Sequence, residues 1–126
     1  MRANDCSLLA ASLTWTSKPG AFNDELLAAY RQAWQAPRAM TGMLNWYRAM
    51  AAARPIATLI EAPTLIRWGD QDAALEPGLA DEALAYCARG RLERLGDDTR
   101  WLHHEQPVRV SGLLCDFLSQ HAGAGV

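Results

Sequence analysis

Apolar residues recur at helical spacing through the first half of the chain and gather into short runs in the second, so the pattern divides the sequence in two. After an irregular start, Ser17-Lys18-Pro19-Gly20 reads as a loop. Asn23-Asp24-Glu25 then supplies an N-cap followed by acids suited to a first helical turn. Leu27, Tyr30 and Trp34 share one face of a helix over Asp24 to Gln35, which Pro37 stops. Met43, Tyr47 and Met50 share a face of a second helix from about Ala39 to Ala53, with Trp46 beside them and Arg54-Pro55 closing it.

The period changes after Glu61. Thr64-Leu65-Ile66-Arg67-Trp68, bounded by Gly69, predicts a buried strand. Asp81 to Ala88 predicts a helix closed near Gly90, Arg91 to Leu95 a half-exposed strand, and Gly96 to Trp101 a loop. Pro107 opens a last helix whose core face is Val110, Leu113, Leu114, Phe117 and Leu118. Cys115 falls beside that face and reads as a buried thiol, and the Ala/Gly tail beyond, His121 included, should fray.

Strand, helix, strand, helix implies βα units of a parallel sheet, hence an α/β class. A lone parallel pair leaves long edges open and buries little, so the expectation is the end of a larger α/β domain. Isolated, such a chain is expected to be molten or self-associated, with the exposed sheet edge as the interface for a second copy or a partner chain.

Composition narrows the partners. The 126 residues are 50% hydrophobic and 21% charged, and 12 basic against 14 acidic side chains give a net charge of -2. That balance argues against nucleic acid and anionic membrane as partners. No apolar run is long enough to span a bilayer, and Met1 to Cys6 lacks the order of a signal peptide, so a cytoplasmic location is expected. Cys6, Cys87 and Cys115 form neither CxxC nor a Cys/His ligand spacing, which points to free thiols; no metal and no cofactor is implied.

Three motifs carry chemistry. Trp68-Gly69-Asp70-Gln71-Asp72 ends the first strand, and one strand later comes Trp101-Leu102-His103-His104-Glu105-Gln106-Pro107, with Leu44-Asn45-Trp46-Tyr47-Arg48 well before both. Their order resembles the C-terminal portion of an α/β-hydrolase, more narrowly the epoxide hydrolase branch, from about Trp15 to Leu118. The resemblance implies a helical cap segment at residues 1–55, then two parallel strands with helices at 56–126. It implies that Asp72 is the charge-relay acid of a strand-end G-x-x-D. It also makes Tyr47 the cap hydroxyl that holds an epoxide oxygen, with Trp46 and Trp101 as further substrate-binding candidates. The family reaction is a carboxylate attack on an epoxide carbon, followed by hydrolysis of the ester by a water that a His–Asp pair activates. A dehalogenase-like chemistry is the alternative on the same scaffold.

Two departures stand beside the match. No G-x-D-x-G or G-x-S-x-G occurs in the sequence, so a nucleophile elbow is absent from these residues. The alignment also puts Arg100 where the family has its catalytic His, and a guanidinium cannot act as a general base. Arg100 is instead expected to pair with Asp72. The chain is accordingly expected to begin inside the cap and to be a truncated form, inactive alone, that would meet a small-molecule epoxide only in a reconstituted hydrolase. A non-catalytic pseudoenzyme or interaction subunit is the alternative.

The local readings differ from these. Without the resemblance Asp72 is a turn residue, Tyr47, Trp46 and Tyr30 are core aromatics, and Glu105 is a helix-start acid. His103 and His104 have a suitable pKa for a base but lie beyond Trp101, where the chain turns into its last helix.

Overall fold

The computed structural model describes residues 6–53 and 58–122. The closing signal Arg54-Pro55, the boundary proposed at 55/56 and the last four residues of the tail lie outside them.

Three helices precede the first strand: α1 (Ser7–Trp15), α2 (Asp24–Gln35) and α3 (Ala39–Ala52). The irregular start is therefore corrected, because residues after Cys6 are helical. Leu8, Leu9, Leu13 and Trp15 surround the helix instead of lining one side, which hid the period; Ala10 and Leu13 are buried while Leu8 and Trp15 face outward. Helix α2 begins as the pattern required, with the Asn23 side chain accepting from the Leu26 N–H at 2.8 Å. Ala36, extended ahead of Pro37, ends it.

Strand β1 (Thr64–Gly69) and strand β2 (Gly90–Leu95) pair in parallel, Thr64 with Gly90 through Gly69 with Leu95. Between them α4 (Gly78–Ala85) lies three residues ahead of the expected Asp81 to Ala88. The cause is strand geometry. Ile60 bridges Cys87, with Ile60 N–H donating to Tyr86 O at 2.7 Å and Ala88 N–H to Ile60 O at 2.9 Å, so the chain must have left the helix by Tyr86. After β2 come a short α5 (Leu102–Glu105) and α6 (Pro107–His121).

The architecture is thus the α/β class expected: a helical segment, then two parallel strands with helices. Arg94 of β2 reaches α4 on one side of the sheet, whereas Gly69 and Leu95 face the loop that leads to α6 on the other. The core is small: Ala10, Leu13, Phe22, Ala80, Leu95 and Val110 are its buried apolar residues among those described, and no large side chain is wholly enclosed. Strand β1 is half-buried rather than buried, because its second edge has no neighbour among the described residues.

The apolar stripe of α6 is narrower than expected. Val110 is buried and Leu113 and Phe117 half-buried, but Leu114, Leu118 and Cys115 are exposed, so the reading of Cys115 as a buried thiol is corrected. His121 closes the helix, its Nδ1 2.8 Å from Phe117 O and its ring against Phe117, and is not part of a frayed tail. Helix α3 departs furthest, since Met43, Tyr47 and Met50, expected to share a core-facing stripe, are all exposed. The pattern for a buried face is present, and the described residues do not cover it.

Candidate functional site

The C-terminal end of β1 abuts the loop after β2. A Cβ on Gly69 would stand 2.1 Å from Thr99 O and 2.5 Å from Asp98 O, a separation only glycine tolerates. Asp70 N–H donates to Leu95 O at 3.1 Å and Gln71 N–H to Asp98 O at 3.0 Å, so the turn 69–72 is sewn to the loop 96–100.

Asp72 and Arg100 meet across that seam. The Asp72 carboxylate is 6% exposed; its Oδ1 accepts from Ala74 N–H at 2.8 Å and Leu75 N–H at 3.2 Å. Both its oxygens also lie beside Arg100 Nε, Oδ1 at 3.2 Å and Oδ2 at 3.3 Å. The turn-forming reading and the charge-pairing reading of Asp72 therefore hold together. Asp70 is turned away, joined to Arg94 Nη1 at 2.6 Å, and this bond, followed by the charge of Asp81, raises the Arg94 pKa.

A single carboxylate fixes the loop that carries Arg100. Glu105 accepts from Thr99 N–H at 2.8 Å, Thr99 Oγ1 at 2.6 Å and, across 87 residues of sequence, Lys18 N–H at 2.9 Å. The helix-start reading of Glu105 missed this role. Beside it Asp98, 2% exposed, is held by the Lys18 ammonium and by Gln106 Nε2 at 3.4 Å. The hydrogen bond that Lys18 donates to Asp98 raises the Lys18 pKa. Nothing in the spacing of Lys18 and Asp98 announces that pair; the W-x-x-x-E-x-P motif marks only Glu105 as a candidate.

Trp101 sits over this clasp, its indole Nε1 donating to Thr16 Oγ1 at 2.8 Å and its ring edge-on to Phe22 at 5.3 Å. His104 packs on Phe22 at 4.6 Å, and its Nε2 lies 3.0 Å from Tyr30 Oη. Burial, with the neighbouring His103 second, lowers the His104 pKa. Tyr30 is thus a bonded junction residue more than plain core. Tyr47 and Trp46, 70% and 71% exposed on α3, are not brought against Asp72.

Between the seam and α5 lies a cleft of about 190 Å³ whose walls include Arg67, Trp68, Asp72, Leu75, Arg100 and Leu102. No group of three His, Cys, Asp or Glu side chains suited to a metal ion occurs among the described residues, and no described helix is long and apolar enough to cross a membrane.

No protein-family model matches the chain. Among curated proteins it is 33% identical to the AB hydrolase superfamily protein YfhM of Bacillus subtilis (strain 168), over 94% of this chain and 42% of that protein. It is 34% identical to Epoxide hydrolase 4 of Mus musculus, over 76% of this chain and 27% of that one. Among solved structures, an epoxide hydrolase of Bacillus megaterium in complex with an inhibitor superposes with a TM-score of 0.74 at 22% identity, over 94% of this chain and 46% of that one. The chain spans less than half the length of these relatives. It has the fold of the C-terminal portion of an α/β-hydrolase, and its sequence is similar to the corresponding part of epoxide hydrolases.

Proposed function

We propose that the chain is the late cap (1–55) and closing core (56–126) of an epoxide hydrolase-like α/β-hydrolase, retaining the acid of the relay without its base. The observation that carries this reading is the Arg100 guanidinium on Asp72, at 3.2 and 3.3 Å from its two oxygens. Guanidinium stays protonated throughout the pH range of a folded protein, so it cannot take a proton from water. Asp72 then neutralises a fixed cation where the family relay would orient an imidazole.

In this reading the substrate is a small epoxide, and the Tyr47 hydroxyl donates to its oxygen once a segment bearing a nucleophilic carboxylate packs beneath α3. Trp46 and Trp101 are the further substrate-binding candidates of this reading. The carboxylate forms a C–O bond to an epoxide carbon, the epoxide C–O bond breaks, and the alkoxide takes the Tyr47 proton. The product is a hydroxyalkyl ester. Its hydrolysis needs a base, and Arg100 withholds one. A cytoplasmic setting agrees with the three free cysteines.

The chain alone should form no diol from styrene oxide. Supplied with a polypeptide that carries G-x-D-x-G and an oxyanion loop, it should accumulate one covalent ester, visible as a mass increase equal to the epoxide, and Arg100→His should convert that single event into turnover. Sustained diol formation with Arg100 in place would refute the reading. A non-catalytic subunit that completes its sheet with a partner chain is the second reading, favoured by the edge of β1 that has no neighbour among the described residues and by the exposed apolar face of α3.

A further inference from the structure

Position 100 is placed by its neighbours. Among the described residues the Arg100 side chain bonds only Asp72. The residues on either side of it are each fastened, and the fastenings lead to two residues of the loop after α1. The Trp101 indole Nε1 donates to Thr16 Oγ1 at 2.8 Å, and Asp98 is held by the Lys18 ammonium. Thr99 donates its N–H and its hydroxyl to Glu105, whose Oε1 also accepts the Lys18 N–H at 2.9 Å. The Trp101 N–H lies 3.2 Å from Thr99 Oγ1 and links the two sides. Thr16 and Lys18 thus reach residues 98, 99 and 101 from 80 or more residues away in sequence. Asp72 is seated separately, on the Ala74 and Leu75 N–H groups. A shift of the loop after α1 therefore moves Arg100 and leaves Asp72 where it is. At 3.2 and 3.3 Å their contact is at the long end of hydrogen-bonding range, so a displacement of about 0.5 Å breaks it.

We propose that Thr16 and Lys18 are positioning residues for the pair formed by Asp72 and the side chain at position 100, so that the cap segment sets the geometry of the relay. That the pair is a relay, and that residues 16–18 belong to a cap, rests on the hydrolase reading. The positioning itself does not, because both members of the pair and both anchors are present in this chain.

The test is an NMR titration of the full chain carrying Arg100→His. Beside the Asp72 carboxylate the introduced imidazole should protonate about one pH unit or more above 6.5. Adding Thr16→Val, which changes no charge, should bring that value down by about half a unit or more, and Thr16→Ser should keep it high. Lys18→Met should lower it too, although removing a nearby positive charge would by itself raise it, so a fall reports displacement. Val110→Ala, in the core on α6, should lower the thermal midpoint and leave the titration unmoved. With Arg100 in place, and whether or not the His variant folds, the exchange rate of the Arg100 Nε–H gives a second readout: it should rise about tenfold or more in Thr16→Val and in Lys18→Met, but not in Val110→Ala. A titration and an Nε–H that neither anchor substitution moves, or that Val110→Ala moves as far, would overturn the proposal. Failure to form an ester from an epoxide would sink the hydrolase reading and leave this one standing, so the two are told apart.

Discussion

The loop around Glu105 and the face of α3 carry equally clear sequence signals and end in opposite physical states. Around Glu105, residues from the loop after α1, the loop 96–100 and α5 converge, so that one carboxylate holds two backbone amides and a hydroxyl while Asp98 is enclosed beside it. On α3, Met43, Trp46, Tyr47 and Met50 line up as designed for burial and meet solvent. The difference shows that an amphipathic pattern states an intention to pack, and that only a partner at the right place converts it into burial.

The comparison breaks most sharply at Gly69. Gly69→Ala puts a methyl group into the Thr99 and Asp98 carbonyls, and separating the two loops should cost about 3 kcal/mol, read as a fall in the denaturation midpoint, with the Asp72–Arg100 pair lost. Next comes Glu105→Ala, which leaves the Thr99 and Lys18 amides without their acceptor; about 2 kcal/mol is expected, and Glu105→Gln should recover part of it.

A smaller effect is expected from pH. The folded-state pKa of His104 is depressed below its ordinary value near 6.5, so the unfolded chain binds the proton first. Stability from this site is full above about 6.5 and is lost as pH falls through the interval between the two values. Tyr30 faces the ring from α2, with His103 and Glu105 adjacent on α5. His104→Gln should flatten this acid-side decline in thermal midpoint; an unchanged slope would remove His104 as its source. Smallest of all, Met43→Ser with Met50→Ser should move the stability of the chain by no more than about 0.5 kcal/mol. A loss of 2 kcal/mol there would mean the α3 face is covered in solution, and the contrast with the Glu105 region would fall.

Much of the fold was legible because its signals are local. Asn23 caps α2, Pro37 and Pro107 mark helix boundaries, and the apolar run ending in Gly69 becomes β1. Helix α1 was not legible, since its apolar residues surround the axis, and α4 was misplaced because a bridge between Ile60 and Cys87, far apart in sequence, fixes where it must stop. At the site, Asp72 and Arg100 were readable from motif position, and their pairing followed from opposite charge on adjacent loops.

By itself, then, the sequence determined the order of α2, α3, β1, α4, β2 and α6, the parallel α/β class and the opposite charges of Asp72 and Arg100, because each depends on residue type and near-neighbour spacing. Tertiary structure alone decided that Glu105 ties Lys18 to Thr99, that Asp98 is buried beneath Lys18, and that the Arg67 guanidinium has no hydrogen-bond partner among the described residues. Those outcomes depend on which distant segments arrive at the same place. Spacing along the chain does not encode that arrival, whereas the closure of the loop at Gly69 enforces it.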